Sequence, residues 1–555
     1  MQQYLKDLKR YIEHKWYILF VVFIALLSYG YSTVHMHVGV DSLHGDLYMG
    51  DGNGLLTAGR FGMLFWEKVF FWTTGTLTPI SYFASDLIAV VLLLLAATSF
   101  CILFDRCTNR RFSMWVNILF VGLLISYPLM NEIWSYLACN RWVCGSMLFT
   151  AFALLLVWDA LHRKSKPWVA YPIAAVLMTI VVSGYESVTV VYVFLVFALL
   201  LLQALYGQPG EDHIKTILLQ GLVYAAILIA AVLLRLVVHQ ILLAVNHLSF
   251  QSNGAVQIHW FEDSISSNAA FLLLSILYNY ILTALIYFPI AELVVAVIVL
   301  IVFAIVMVRK KPSILLPVLG MLFSLIVLSV IQGSATPYRA CQVFGIFIAF
   351  TAALLADLLM RQKRIAVRML SIGLGLLLCV NQGVLLSYYM SADSLRSERE
   401  VEQIQTIAKD VLRNQDTTKP VVLLMLSEIP YTTGKLYPWL NNQITLPEDS
   451  QAMSLFIKIN EKIRDTFHYT RRVNNVEATR KPVDTNLVSV LYWAQSTMAE
   501  NLDQVFSYCG YDLHFSDDPA LVELCKTYAK ANDMPSYPHS GYVVESKNCI
   551  IVRVN

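Results

Sequence analysis

Residues 290–331 read IAELVVAVIVLIVFAIVMVRKKPSILLPVLGMLFSLIVLSVI: an apolar run, three consecutive cations at Arg309, Lys310 and Lys311, then a second apolar run. Each run approaches the ~20 residues that an α-helix needs to cross the hydrocarbon of a bilayer. Short cytoplasmic loops carry the Lys and Arg excess of a membrane protein, so a positive triplet between two such runs marks a cytoplasmic turn between two spans. The rest of the chain can be ordered around that turn.

Similar runs occupy Trp16–Val34 and residues 81–104, 113–129, 142–158, 168–183, 187–206, 217–245, 341–359 and 367–388, which predicts about eleven transmembrane helices in all. The composition agrees: 57% hydrophobic residues, 14% charged ones and a mean hydropathy of +0.60 exceed what one aqueous core can hide. The first run ends in Tyr29, Gly30, Tyr31 and Ser32 without a small-residue cleavage site, so it is expected to be a retained span rather than a signal peptide. On the side of the triplet fall Arg106, Arg110 and Arg111; Arg163, Lys164 and Lys166; Lys215; and Arg361, Lys363, Arg364 and Arg368. The opposite loops hold only Arg60, Lys68, Arg141 and Arg339. This asymmetry predicts a cytoplasmic N-terminus and, with an odd number of spans, an extracytoplasmic tail after Tyr389.

Two segments qualify the pattern. Ala270–Phe288 is apolar enough to cross, but a crossing there would carry the triplet outside, so it is expected to be re-entrant or to lie in the interface. The run 217–245 contains Arg235, a charge near mid-membrane that faces a bundle interior or wet cavity, or else snorkels from a tilted helix.

The fold class expected is therefore an α-helical polytopic membrane protein, residues 1–389, followed by a small extracytoplasmic α/β domain, residues 390–555. The tail has polar helices and strand candidates at Val421–Leu426 and Cys549–Val554. Cys509, Cys525 and Cys549 share it, and they form either one disulfide, if the tail faces an oxidising compartment, or three free thiols. With no Cys-x-x-Cys pair among the nine cysteines, no zinc ribbon is indicated. A formal charge of +2 without a clustered basic excess argues against a nucleic-acid partner. The absence of a Walker loop or dinucleotide glycine pattern argues against an ATP-driven pump.

Polar residues on the outer side mark the working face, since insertion does not require them there. The first outer loop carries His35, His37, Asp41, His44, Asp46 and Asp51 before Gly59-Arg60. It is a plain solvated loop, a divalent metal site drawn from the histidines and aspartates, or a catalytic loop in which Asp41 or Asp46 is general base to an acceptor hydroxyl. Arg60 precedes an aromatic stretch, Phe61–Trp72, whose only charges are Glu67 and Lys68, a composition suited to an interface helix. Arg60 and Arg339 are placed either to pair with the phosphate of a membrane-anchored substrate or to contact lipid headgroups. The turn Ser183-Gly184-Tyr185-Glu186-Ser187 holds Glu186 at the membrane boundary, and Asn131, Glu132, Trp134 and Tyr136 line another outer turn. Aromatics beside amides and carboxylates suit sugar stacking and equally suit an aromatic belt.

In chain order these features resemble the bacterial serotype-converting O-antigen glucosyltransferase family, integral membrane glycosyltransferases of the broad GT-C class. The resemblance rests on the acidic first loop closed by Gly59-Arg60, the Gly184-Tyr185-Glu186-Ser187 turn, Pro337-Tyr338-Arg339, Asn381, and Tyr388-Tyr389 leading into a helix with Asp393, Arg396 and Arg399. It extends to Met534-Pro535-Ser536-Tyr537-Pro538, Gly541-Tyr542 and the final strand. Each motif is short, and their order carries the likeness over essentially the whole chain. The family implies a bacterial cytoplasmic-membrane enzyme that moves a hexosyl, typically glucosyl, group from a polyprenyl-phosphate donor to an extracytoplasmic glycan, with inversion. On that basis Asp41 or Asp46 is the base, Arg60 and Arg339 hold the donor phosphate, and Tyr185, Glu186, Glu132 and Tyr338 contact substrate. The loop 246–268, with His259, Trp260, Glu262 and Asp263, and the segment Ala270–Phe288 would wall the acceptor groove. The chain departs from the family in separating Asp41 from Asp46, where adjacent acids are usual, and in Glu186, where glutamine is common. A lipid-linked saccharide flippase is the main rival, with a glycan polymerase or ligase and a noncatalytic scaffold behind it. A flippase calls for polar groups on both sides, whereas here they gather outside.

Overall fold

The computed structural model describes residues 2–35, 53–71, 82–134, 139–207, 214–249, 260, 265–276, 288–333, 336, 340–416, 418–424, 454, 458 and 499–554. In hydrocarbon a backbone must satisfy its own N–H and C=O groups, which leaves the helix as the form open to each apolar run. The long helices are α2 (Lys15–Val34), α5 (Tyr82–Cys107), α8 (Cys139–Leu161), α9 (Pro167–Gly184), α10 (Val188–Tyr206), α11 (Ile214–Val245), α13 (Phe288–Val308), α16 (Gln342–Met360) and α17 (Ile365–Asn414). Among the described residues these nine are long and apolar enough to cross a membrane. A further apolar stretch is bent: α6 (Met114–Ile125) ends at Ser126, and a 3-10 turn beginning at Pro128 redirects the chain by 41° into α7 (Asn131–Trp134), and the two together are long and apolar enough to count as a tenth. The run expected at 313–331 is also interrupted, into a 3-10 turn, α14 (Leu315–Ser324) and α15 (Val327–Gln332).

Shorter helices flank the bundle: α1 (Gln2–Glu13), α3 (Asn53–Thr57), α4 (Phe61–Phe71) and α12 (Ile265–Ile276). The segment expected to re-enter or lie in the interface begins inside α12, at Ala270. Of the segment expected to re-enter or lie in the interface, residues 277–287 fall outside the described residues. Large apolar side chains such as Leu222, Leu233 and Val237 on α11 stay exposed, as befits a face turned to lipid.

The end of the bundle rich in cations is held by ion pairs, in which Asp7, Asp105 and Asp357 are buried. Arg106 donates to Asp7 at 3.0 Å and to Asp159 at 2.6 Å, and Arg110 donates to Asp7 at 2.9 Å. Arg10 pairs with Asp105, which also accepts from Tyr11 Oη at 2.7 Å. Lys311 Nζ caps α10 by donating to the carbonyls of Ala204 and Leu205, where the helix dipole favours a cation. Arg361 donates to Asp357, whose carboxylate also accepts from Tyr206.

The helix α17 is 50 residues, roughly 75 Å at a rise of 1.5 Å per residue, and continues well past Tyr389. Its last turns bury Ile404, Ile407, Ala408 and Val411 in a second hydrophobic core with α18 (Ala499–Tyr508) and one face of a small sheet. The sheet has the order β1-β3-β2, with β3 (Ile550–Arg553) parallel to β1 (Val421–Leu424) and antiparallel to β2 (Val543–Glu545). Because strand side chains alternate, Ile550 and Val552 join that core while Ile551 faces α19 (Pro519–Ala531) on the other side. Two of these strands were expected from sequence; β2 carries too few residues to announce itself.

Candidate functional site

The corner that presents Arg60 depends on a glycine. Gly59 adopts φ +71°, and a Cβ there would lie 3.1 Å from Cε1 of His239. His239, on α11, approaches the carbonyl of Leu56 with Nε2 at 2.8 Å, which fixes the end of α3 to α11. Arg60 follows with its backbone N–H donating to Leu55 at 2.7 Å, and its side chain is half-buried. One helical turn before His239 on the same helix face, Arg235 donates to Glu186 at 2.8 Å. So α11 holds the Arg60 corner and the 183–187 turn side by side.

A second contact ties them together. At Gly62 a Cβ would meet the carbonyl oxygen of Ile180 at 2.2 Å and the nitrogen of Gly184 at 2.6 Å, so α4 lies backbone to backbone against the end of α9. At Gly145 a Cβ would strike the ring of Trp66 at 2.7 Å, which seats α4 against α8 as well. The helix expected to lie in the interface thus has one face, with Met63, Trp66 and Glu67, buried in the bundle and another, with Phe65 and Val69, exposed.

Glu67 is bound by a cluster that hydropathy hides. Arg141, fully buried, donates to its Oε1 from Nε at 2.9 Å and from a terminal nitrogen at 2.6 Å, and Trp142 Nε1 donates to the same oxygen. Arg141 also donates to Ser85, while Asn140 donates to Asp86 at 2.7 Å and accepts from the Arg141 backbone. By hydropathy Arg141 falls among the loop charges; the fold places it in the first turn of α8. Its position at the start of an apolar run, like that of Arg235 inside one, is the signal that each needed an acidic partner.

The neighbouring helices complete this end. Ser187 donates to Gln342 at 2.6 Å, linking the 183–187 turn to α16. Trp260 donates to the Val330 carbonyl at 2.7 Å and rests against Gly333, and Asn268 donates to the Trp260 carbonyl at 2.9 Å. Tyr185 is half-buried against the core. Of the residues singled out from sequence, Arg60, Tyr185 and Glu186 are thus brought together. Glu132 is buried on α7, which packs against α8 and α17 beside Trp134 and Tyr29, with those two rings 4.3 Å apart. Asp41, Asp46, Tyr338 and Arg339 lie outside the described residues, as do His37, His44, His259, Glu262 and Asp263.

Of the loop histidines considered for a metal, His35 stacks on Tyr31 with ring centroids 3.8 Å apart and places Nδ1 3.0 Å from the Tyr31 carbonyl. Among the described residues no three His, Cys, Asp or Glu side chains gather as a metal site.

Residues 30–356, more than half of the chain, match the profile of the glucosyl transferase GtrII family. No curated protein matches the sequence significantly. Among solved structures, the chain is similar to the apo oligosaccharyltransferase of Archaeoglobus fulgidus, with 12% identity and a TM-score of 0.40 over 75% of this chain and 63% of that one. It is also similar to ArnT from Cupriavidus metallidurans bound to undecaprenyl phosphate, with 11% identity and a TM-score of 0.40 over 82% of this chain and 91% of that one. The chain therefore spans less than two thirds of the length of the archaeal oligosaccharyltransferase.

Proposed function

The chain belongs to the glucosyl transferase GtrII family, and from that premise we propose that it is an inverting membrane glycosyltransferase. It moves a hexosyl group, glucosyl by the family's description, from a polyprenyl-phosphate donor to an extracytoplasmic glycan such as O-antigen. The observation that carries this reading is the joining of the Arg60 corner to the Tyr185-Glu186 turn by α11, at the end of the bundle away from the Arg106, Lys311 and Arg361 clusters. By the bias of short loops, those cationic clusters face the cytoplasm of a bacterial inner membrane and the Arg60 end faces outward.

In this mechanism Asp41 or Asp46 takes the proton of the acceptor hydroxyl as its oxygen attacks the anomeric carbon. The bond to the donor phosphate breaks on the opposite face, which inverts the centre. Arg60 and Arg339 bind the phosphate and stabilise the negative charge that grows on it, an interaction strengthened where water is scarce. Tyr185, Glu186, Glu132 and Tyr338 contact substrate, and Arg235 orients Glu186 through the hydrogen bond between them. In this reading residues 390–555 form an extracytoplasmic domain.

The test is transfer from a radiolabelled polyprenyl-phosphate sugar to extracted envelope glycan by the purified protein in lipid. Arg60→Ala is expected to weaken donor use, and one of Asp41→Asn and Asp46→Asn is expected to abolish transfer while donor binding survives. Full activity in both aspartate variants would remove the proposed base. Donor movement across vesicles without transfer would favour the flippase.

A further inference from the structure

Six of the nine cysteines are buried in or beside the membrane helices, and three lie in the tail. Two of those three meet. Cys525, in the middle of α19, and Cys549, next to the first residue of β3, bring their Sγ atoms to 3.3 Å. Both are 1% exposed, in a small core with Val422, Leu424, Ala529, Met534 and Ile551. Cys509, just past the end of α18, packs against the other core on the far face of the sheet. A disulfide sets its sulfurs about 2.05 Å apart, so a closure of roughly 1.2 Å, within reach of small side-chain rotations, would join the pair.

We propose that Cys525 and Cys549 are joined by a disulfide in the mature protein, pinning the central strand of the tail's sheet to α19. The inference rests on the outward orientation of the tail. A disulfide donor of the cell envelope supplies the oxidant. The thiolate of one cysteine attacks a donor sulfur, releasing one donor thiol and forming a mixed disulfide. The second thiolate displaces the other donor thiol, so two protein thiols are oxidised while one donor disulfide is reduced, and two protons pass to solvent or to the donor thiolates. Burial, reinforced by the neighbouring sulfur, pushes the Cys525 thiol up to about 12 in the folded tail, where it would be a poor nucleophile. The exchange therefore belongs to folding, before β3 docks over α19.

The protein is extracted from cells without reductant, denatured in the presence of an alkylating agent, digested and weighed. The expected result is a Cys525–Cys549 linked peptide pair, two hydrogens lighter than the separate peptides and released by dithiothreitol. In parallel, Ser507→Cys in a Cys509→Ala background, an exposed site on α18, is challenged in intact spheroplasts with a membrane-impermeant maleimide. Both native thiols alkylated with Ser507→Cys labelled would overturn the bridge and leave the orientation standing. Both alkylated with Ser507→Cys protected would overturn the orientation and the bridge with it.

Discussion

Replacing Arg141 by methionine keeps much of the side chain's bulk and removes the charge that neutralises Glu67. Arg141 is fully buried and Glu67 is 2% exposed, so the carboxylate has no route to water. It would keep the Trp142 N–H and lose both guanidinium contacts, at 2.9 and 2.6 Å. Breaking one side of a buried pair costs about 3–5 kcal/mol. That corresponds to a loss of between about a hundredfold and a few thousandfold in the folding equilibrium. The loss of the Ser85 contact occurs in any variant without Arg141 and cancels in a double-mutant cycle. Combining Arg141→Met with Glu67→Leu removes both charges, and the double variant is expected to recover at least ~2 kcal/mol relative to the sum of the single losses. Reversible unfolding in mixed micelles of increasing SDS content, followed by tryptophan fluorescence, measures all four corners. Since α4 carries the Arg60 corner, the single variant should also lose sugar transfer. A cost for Arg141→Met below about 1 kcal/mol, or a coupling near zero, would refute the claim that this pair seats α4.

Gly59→Ala is expected to cost roughly 1–2 kcal/mol in the same unfolding assay, from the left-handed backbone alone, and more if the His239 ring cannot move; a neutral result would mean that the corner tolerates another conformation. Arg235→Met leaves Glu186 without its partner, but with the pair 22% and 34% exposed the stability loss should be only about 1 kcal/mol. Transfer by that variant should fall more than about tenfold, a barrier rise of ~1.4 kcal/mol, and unchanged turnover would remove the pair from the site. In the tail, a hydrogen bond from Lys419 holds the Glu545 carboxyl below its ordinary range. A depressed carboxyl contributes stability above its unfolded pKa and loses it as pH falls through the folded value, so the protection of β2 and β3 amides relative to their intrinsic exchange rates should fall on acidification below the ordinary glutamate range. Glu545→Gln should flatten that dependence, and an unchanged profile would assign the acid sensitivity elsewhere.

Hydropathy and loop charge are properties of short segments in contact with their solvent, which is why they are legible without a fold. The apolar run from Phe288 to Val308 is a helix because its own backbone has no other partner in hydrocarbon, and the triplet after it stays on one side for reasons equally local. The strands β1 and β3 were visible for the same reason, as short apolar runs in a polar tail. The breaks after Ile125 and Ser324 were less so, because they divide runs whose mean hydropathy is uniform. The pairings were out of reach. Glu67 meets Arg141 across 74 residues, Arg235 meets Glu186 across 49, and Asp7 meets Arg106 across 99. Each charge alone reads as a loop or snorkelling residue; which acid meets which base is decided by how helices rotate and cross. At Gly62 and Gly145 that crossing is set by backbone approaching backbone or ring, a matter of shape between distant segments that no single segment records.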